Sequence, residues 1–147
     1  MELHKIFPKG FEFFHLGHVE QKNPKAITIA DAPLIVTFQL TGDDRGLCVA
    51  AFDTVSGSRL DESMATEMAN ILASKFATRM SDLTGEFVSL LPPEILTQGD
   101  GRHRRLLATI RNAALADGKC ARKYEYVRDK SRVPIHFVYL RSQEGLS

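Results

Sequence analysis

Ser58-Arg-Leu-Asp-Glu-Ser-Met-Ala-Thr-Glu-Met-Ala-Asn-Ile-Leu-Ala-Ser-Lys-Phe-Ala-Thr-Arg-Met-Ser-Asp-Leu-Thr-Gly85 is the stretch that decides the fold. From Leu60 onwards, Met64, Met68, Ile71, Leu72, Phe76 and Met80 recur at intervals of three and four, the spacing that lines one face of an α-helix. Ser58-Arg-Leu-Asp61 offers a capping box at the start, and Gly85 a left-handed stop at the end. The spacing therefore predicts one long amphipathic helix, and a helix of that kind needs an apolar surface to lie on.

The flanking segments supply that surface as strands. Pro33-Leu-Ile-Val-Thr-Phe-Gln-Leu40 and Leu47-Cys-Val-Ala-Ala-Phe52 are β-rich runs joined by Thr41-Gly-Asp-Asp-Arg-Gly46, which predicts a hairpin. Beyond the helix, Glu86-Phe-Val-Ser-Leu-Leu91 reads as a strand ended by Pro92-Pro93, because proline cannot donate to a ladder. Residues 97–102 read as loop. Leu106, Leu107, Ile110, Ala113 and Ala114 predict a shorter helix over Arg104–Leu115 that stops before Asp117-Gly118. Lys123–Arg128 and Val133–Leu140, around the polar turn Asp129-Lys-Ser-Arg132, close the chain as a hairpin. Phe11 to Glu20 fits neither period cleanly and is read as one strand. The whole is an α/β (α+β) domain, an antiparallel-rich sheet packed against the long helix. It divides into an N-terminal segment 1–25, a central region 33–96, and a helix plus hairpin over 97–147.

Composition narrows the function classes. A chain of 147 residues has the length of one domain, and 44% hydrophobic with 25% charged residues permits a packed core. Nineteen lysines and arginines against 18 acids leave a net charge of +1, which provides no global field for capturing polyanions. Cys48 and Cys120 fall in no metal-ligand spacing and are expected as reduced thiols. The segment beginning at Met1 has no apolar signal region and no run long enough to span a bilayer, so a cytoplasmic location is expected.

The polar side of the long helix is unusual. Ser63, Glu67, Asn70, Ser74, Thr78 and Ser81 share one face, and all but Glu67 are short. Serine, threonine and asparagine cost helix propensity relative to the lysines and glutamates that usually cover an exposed face. Taken alone, the stripe reads either as a solvated polar face or as a surface chosen for something other than helix stability. Within it, Ser63, Glu67 and Asn70 form Ser-x3-Glu-x2-Asn, and Pro92 follows Asn70 after 21 residues, with Pro93 satisfying an interval of 22. Such a combination arises by chance on the order of once in a few hundred chains.

This arrangement resembles the CheC/CheX/FliY family of chemotaxis phosphatases, whose motif is Asp/Ser-x3-Glu-x2-Asn followed by 21 or 22 residues and a proline. The resemblance covers Leu34 to Leu96 well and the closing hairpin loosely. It departs in residues 1–25, where family members usually open with a helix, and in the short link Asp53–Ser58. One motif copy places the chain nearer to CheX, a single-motif dimer, than to CheC, which resembles two copies in one chain.

The resemblance implies a partner, a CheY-like response regulator carrying phosphoaspartate, and an activity, hydrolysis of that acyl phosphate. It implies Asn70 as the residue that positions the attacking water and Glu67 as the charge that docks on a lysine of the regulator. Ser63, Ser74 and Pro92 take supporting or docking roles. No cofactor of its own is implied; Mg2+ is expected on the regulator. A homodimer is implied as well. Two other functions remain open: an inactive CheX-like adaptor for a signalling or flagellar-switch partner, and a small nucleic-acid-binding domain using the basic stretch 102–123, which holds Arg102, Arg104, Arg105, Arg111, Lys119, Arg122 and Lys123. His15 and His18, with Glu20, offer a metal-ligand pattern, but on one strand the two histidines would point to opposite faces and no cysteine or third histidine is close by, so no metal is expected.

Overall fold

The computed structural model of the protein describes residues 5–14, 16–22, 34–53, 61–97, 99–116 and 120–141. The long helix α1 runs over Glu62–Thr84, about 35 Å at 1.5 Å per residue. Its N-cap is Asp61, whose carboxylate accepts the Met64 N–H at 2.8 Å. The expected cap Ser58 lies outside the described residues, and the acid read as the fourth member of its box is itself the cap. Gly85 ends the helix at φ 75°, donating its N–H to the Ser81 carbonyl at 2.9 Å. The buried face carries Met68, Leu72, Phe76 and Met80 together with Ala65, Ala69, Ala73 and Ala77. Four alanines spaced by four form a smooth strip that lets the helix lie close on its support.

That support is a single antiparallel sheet. Its strands are β1 (Gly10–Glu12), β2 (His18–Gln21), β3 (Leu34–Gly42), β4 (Leu47–Phe52), β5 (Val88–Leu90), β6 (Glu94–Thr97), β7 (Ala121–Arg128) and β8 (Ser131–Leu140). They lie in the order β1-β2-β7-β8-β4-β3-β5, with β6 also paired to β3. The hairpins β3–β4 and β7–β8 are those expected from the sequence. The second helix, α2, spans Gly101–Ala116.

Strand parity sorts the core into two layers. Phe76 of α1 meets Phe137 and Tyr139 of β8, with ring centroids 5.6 and 5.1 Å apart, and Phe7 at 5.2 Å. Register then puts Phe38, Cys48, Ala50, Phe52 and Tyr124 on the α1 face, and Ile35, Thr37, Val49, Ala51, His136 and Val138 on the other, which carries α2. Central β3 and β4 are buried on both faces, which is why they read as nearly continuous apolar runs.

One edge of β3 is shared by two short strands. Leu40 pairs with Leu90 and Thr37 with Glu94, so two residues of β3 face the three residues Leu91, Pro92 and Pro93. This is a β-bulge, and it reverses which side chains face which layer. Before it, Val88 and Leu90 point to the α1 side; after it, Glu94 and Leu96 point to the α2 side. The prolines sit where no ladder donor is needed.

Three expectations require correction. Residues 11–20 form two strands, not one: β1 and β2 pair as Phe11↔Val19 across a turn in which Phe14 has φ 54° and Gly17 φ 111°. The turn is closed by Phe13 N–H to Gly17 O at 2.8 Å and anchored by the Tyr126 hydroxyl donating to Leu16 O. Helix α2 starts three residues earlier than Arg104, because the Asp100 carboxylate accepts the Arg102 N–H at 2.9 Å and caps it. Thr97, expected as loop, is the last residue of β6, which pairs with Leu34 of β3.

Candidate functional site

The polar stripe of α1 borders an open cleft of about 650 Å³. Asn70, Ser74, Thr78, Ser81 and Asp82 form one wall, residues 87–93 form the other, and Phe38 lies at the base. The structure thus brings Asn70, Ser74 and Pro92 to one depression, although Pro92 is 22 positions from Asn70 in sequence. Asn70, Ser74 and Pro92 are exposed, as are Glu67 and Ser63. Glu67 stands about 4.5 Å further along the helix axis from Asn70 and Ser63 about 10.5 Å. Neither lines the cleft; Glu67 flanks its mouth and Ser63 lies two turns away.

The far wall was not singled out in the sequence. Phe87 is 71% exposed and Leu91 43%, so the cleft has an apolar rim facing the polar stripe. Phe87 is held from behind by the β3–β4 turn: Asp43 donates its N–H to the Phe87 carbonyl at 2.8 Å, and the Asp43 carboxylate accepts the Phe87 N–H at 2.7 Å. The turn can approach because Gly42, at φ 104°, has no side chain; a Cβ there would lie 2.4 Å from the Phe87 carbonyl oxygen. The next residue, Asp44, accepts from the Gly46 N–H at 2.8 Å and from the Tyr139 hydroxyl at 2.5 Å. Burial, then that hydrogen bond, pushes the Tyr139 phenol up, and burial pushes the Cys48 thiol up. Both stay protonated over the physiological range. The only sequence signal for this clasp was the Gly-Asp-Asp run, which reads simply as a turn.

Other polar groups lie away from the cleft. His136, 1% exposed, places Nε2 2.9 Å from Asp53 Oδ2 on the α2 face of the sheet. His18 of β2 sits 3.5 Å from Glu20, while His15 lies outside the described residues. Among the described residues no group of three potential metal ligands converges. The basic stretch 102–123 does not form one face: Arg102 of α2 is ion-paired with Glu94, whereas Arg122 lies on the α1 side, 4.8 Å above the Phe7 ring. Lys119 lies outside the described residues. No helix among the described residues is long and apolar enough to cross a membrane.

Fold and cleft together define a three-layer α+β domain that presents one polar helix face beside an apolar-rimmed depression. It is similar to the chemotaxis protein CheX from Vibrio vulnificus, with a TM-score of 0.44 and 13% identity over 84% of this chain and 83% of that one. CheX from Desulfovibrio desulfuricans gives 0.45 and 7% identity over 82% and 86%. A CheX–CheY–BeF3–Mg2+ complex from Borrelia burgdorferi gives 0.39 and 15% over 94% and 89%. No family model matches the chain, and no curated protein matches its sequence.

Proposed function

We propose that the protein is a CheX-like phosphatase that hydrolyses the phosphoaspartate of a CheY-like response regulator. The observation that carries this reading is the placement of Asn70 at a cleft whose opposite wall carries Pro92, with Glu67 one turn away on the same exposed face. A carboxamide does not ionise in the useful range, so Asn70 acts by geometry: its amide hydrogen-bonds a water and holds it in line with the phosphorus. Attack forms the new P–O bond, the bond to the aspartyl oxygen breaks, and inorganic phosphate and a free carboxylate result. The Mg2+ that neutralises developing charge belongs to the regulator. Glu67 supplies a docking charge for a lysine of the partner, and the short Ser63 and Ser74 let its surface approach. Pro92 shapes the wall. The resemblance to a single-motif family member extends the reading to a homodimer, and the reduced thiols expected at Cys48 and Cys120 extend it to the cytoplasm.

The test is the decay of phosphorylated CheY-like regulator with and without the protein. The expected result is accelerated decay that Asn70→Ala reduces about 100-fold, the order of effect of misplacing a reactant. Glu67→Ala should raise KM about tenfold, one charge-assisted hydrogen bond's worth. Regulator that binds but decays at its spontaneous rate would establish the adaptor function instead.

A further inference from the structure

The stripe of α1 has a second flank. Ser74 and Thr78 border not only the cleft with Asn70 but also a groove of about 510 Å³ on the other side, completed by Lys75 and Arg79 of α1 and by Pro8, Lys9 and Gly10. Three of its seven lining residues are cations and none is an acid. Arg79 reaches across with both Nε and Nη2 donating to the Lys5 carbonyl, which pins the N-terminal segment against the helix and fixes the groove's width. Pro8 is pinned as well, its carbonyl accepting the Tyr124 hydroxyl at 2.5 Å. Lys9 and Lys75 are exposed on opposite walls of this braced groove, and neither has a carboxylate partner among the described residues. In a chain of net charge +1, an all-cationic groove is a local feature, and it sits one side chain away from the proposed site.

We infer that this groove is a second docking subsite, which takes an acidic stretch of the same regulator that presents its phosphoaspartate to Asn70. The inference rests on the proposed function. It adds the specificity determinants Lys9 and Lys75, with Arg79 as the strut between them. The partner meets a ridge of small side chains, Ser74 and Thr78, with an apolar rim on one side and positive charge on the other. Apolar and charged contacts so separated fix orientation as well as affinity, because a partner turned end for end would bring its acids onto Phe87 and Leu91.

The test is charge reversal in full-length protein, using the regulator whose decay the wild type accelerates. Lys9→Glu with Lys75→Glu should raise KM about tenfold at 50 mM salt while kcat stays within twofold. The defect should shrink at 0.5 M salt, where the Debye length falls to roughly 4 Å. Lys9→Glu and Lys75→Glu singly should each raise KM, whereas Lys130→Glu, in the exposed β7–β8 turn and with the same change in net charge as either single variant, should leave KM unmoved. Fluorescence anisotropy of the BeF3-activated regulator gives the same comparison without turnover. Unchanged KM and unchanged anisotropy in the double variant, with wild-type acceleration intact, overturn the subsite alone. Inorganic phosphate displacing the regulator through the same two lysines would reassign the groove to a small anion. Wild-type protein that neither accelerates decay nor binds overturns the functional reading, and the subsite with it.

Discussion

Replacing Gly42 by alanine tests how the apolar wall of the cleft is held. Two costs follow from the structure. The backbone at φ 104° is one that L side chains rarely adopt, which costs about 1–2 kcal/mol. The new Cβ would lie 2.4 Å from the Phe87 carbonyl oxygen, so β5 must retreat by most of an ångström, with loss of the Asp43 to Phe87 hydrogen bonds and the Gly42↔Val88 pairing. At about 1 kcal/mol for each of two bonds, the total is about 3–4 kcal/mol. Gly99 separates the two costs, because it has φ 96° but nothing within 4 Å of an added Cβ. Gly99→Ala should lose only the backbone part. In urea unfolding followed by circular dichroism, with a slope near 2 kcal/mol/M, Gly42→Ala should lower the midpoint by about 1.5–2 M and Gly99→Ala by under about 1 M. Equal losses in the two variants would refute the argument from contact with Phe87 and leave only backbone strain.

Two further predictions concern the frame. Asp61→Ala should destabilise by about 1 kcal/mol and Asp61→Asn by only a few tenths, since either oxygen can accept the Met64 N–H; thermal melts would show this, and equal losses would mean that charge rather than the cap matters. Tyr124 and Tyr139 have phenols raised by burial, so the folded state keeps two protons that an unfolded chain gives up above pH 10. Their contribution to stability is complete below pH 10 and is lost as pH rises, at about 2.7 kcal/mol per pH unit for two protons. Stability from denaturant titrations should be flat in this respect up to about pH 10 and approach that slope by about pH 11.5, halved in Tyr124→Phe or Tyr139→Phe, and an unchanged slope in both variants would contradict it.

Elements whose signal is local were legible in the sequence. Helix α1, the β3–β4 hairpin and the β7–β8 hairpin each carry a periodic pattern bounded by a turn residue, and each appears with ends shifted by a few residues. The N-terminal hairpin was not legible, because its turn uses Phe14 at positive φ, a residue that announces no turn, and its strands are three and four residues long. What holds it is distant: β2 pairs with β7, and the Tyr126 hydroxyl reaches Leu16. The alanine strip of α1 carried little signal for the same reason that it works, since alanine adds almost no bulk. At the candidate site, the shared face of Ser63, Glu67, Asn70 and Ser74 follows from helical spacing alone. The opposing wall does not, because Phe87 comes into position through the Gly42-Asp43 clasp, a contact between turns 44 residues apart.

The bulge at Leu91-Pro92-Pro93 has a consequence for how the length of this segment can vary. A bulge is a place where a strand already holds one residue more than its neighbour, so it can lose one without disturbing the pairs on either side. A homologue one residue shorter between the helix and β6 would regain a regular ladder there and keep both Asn70 and Leu96 in place. An interval of either 21 or 22 residues before the proline is then one geometry with two counts, and this chain, with prolines at both positions, satisfies both.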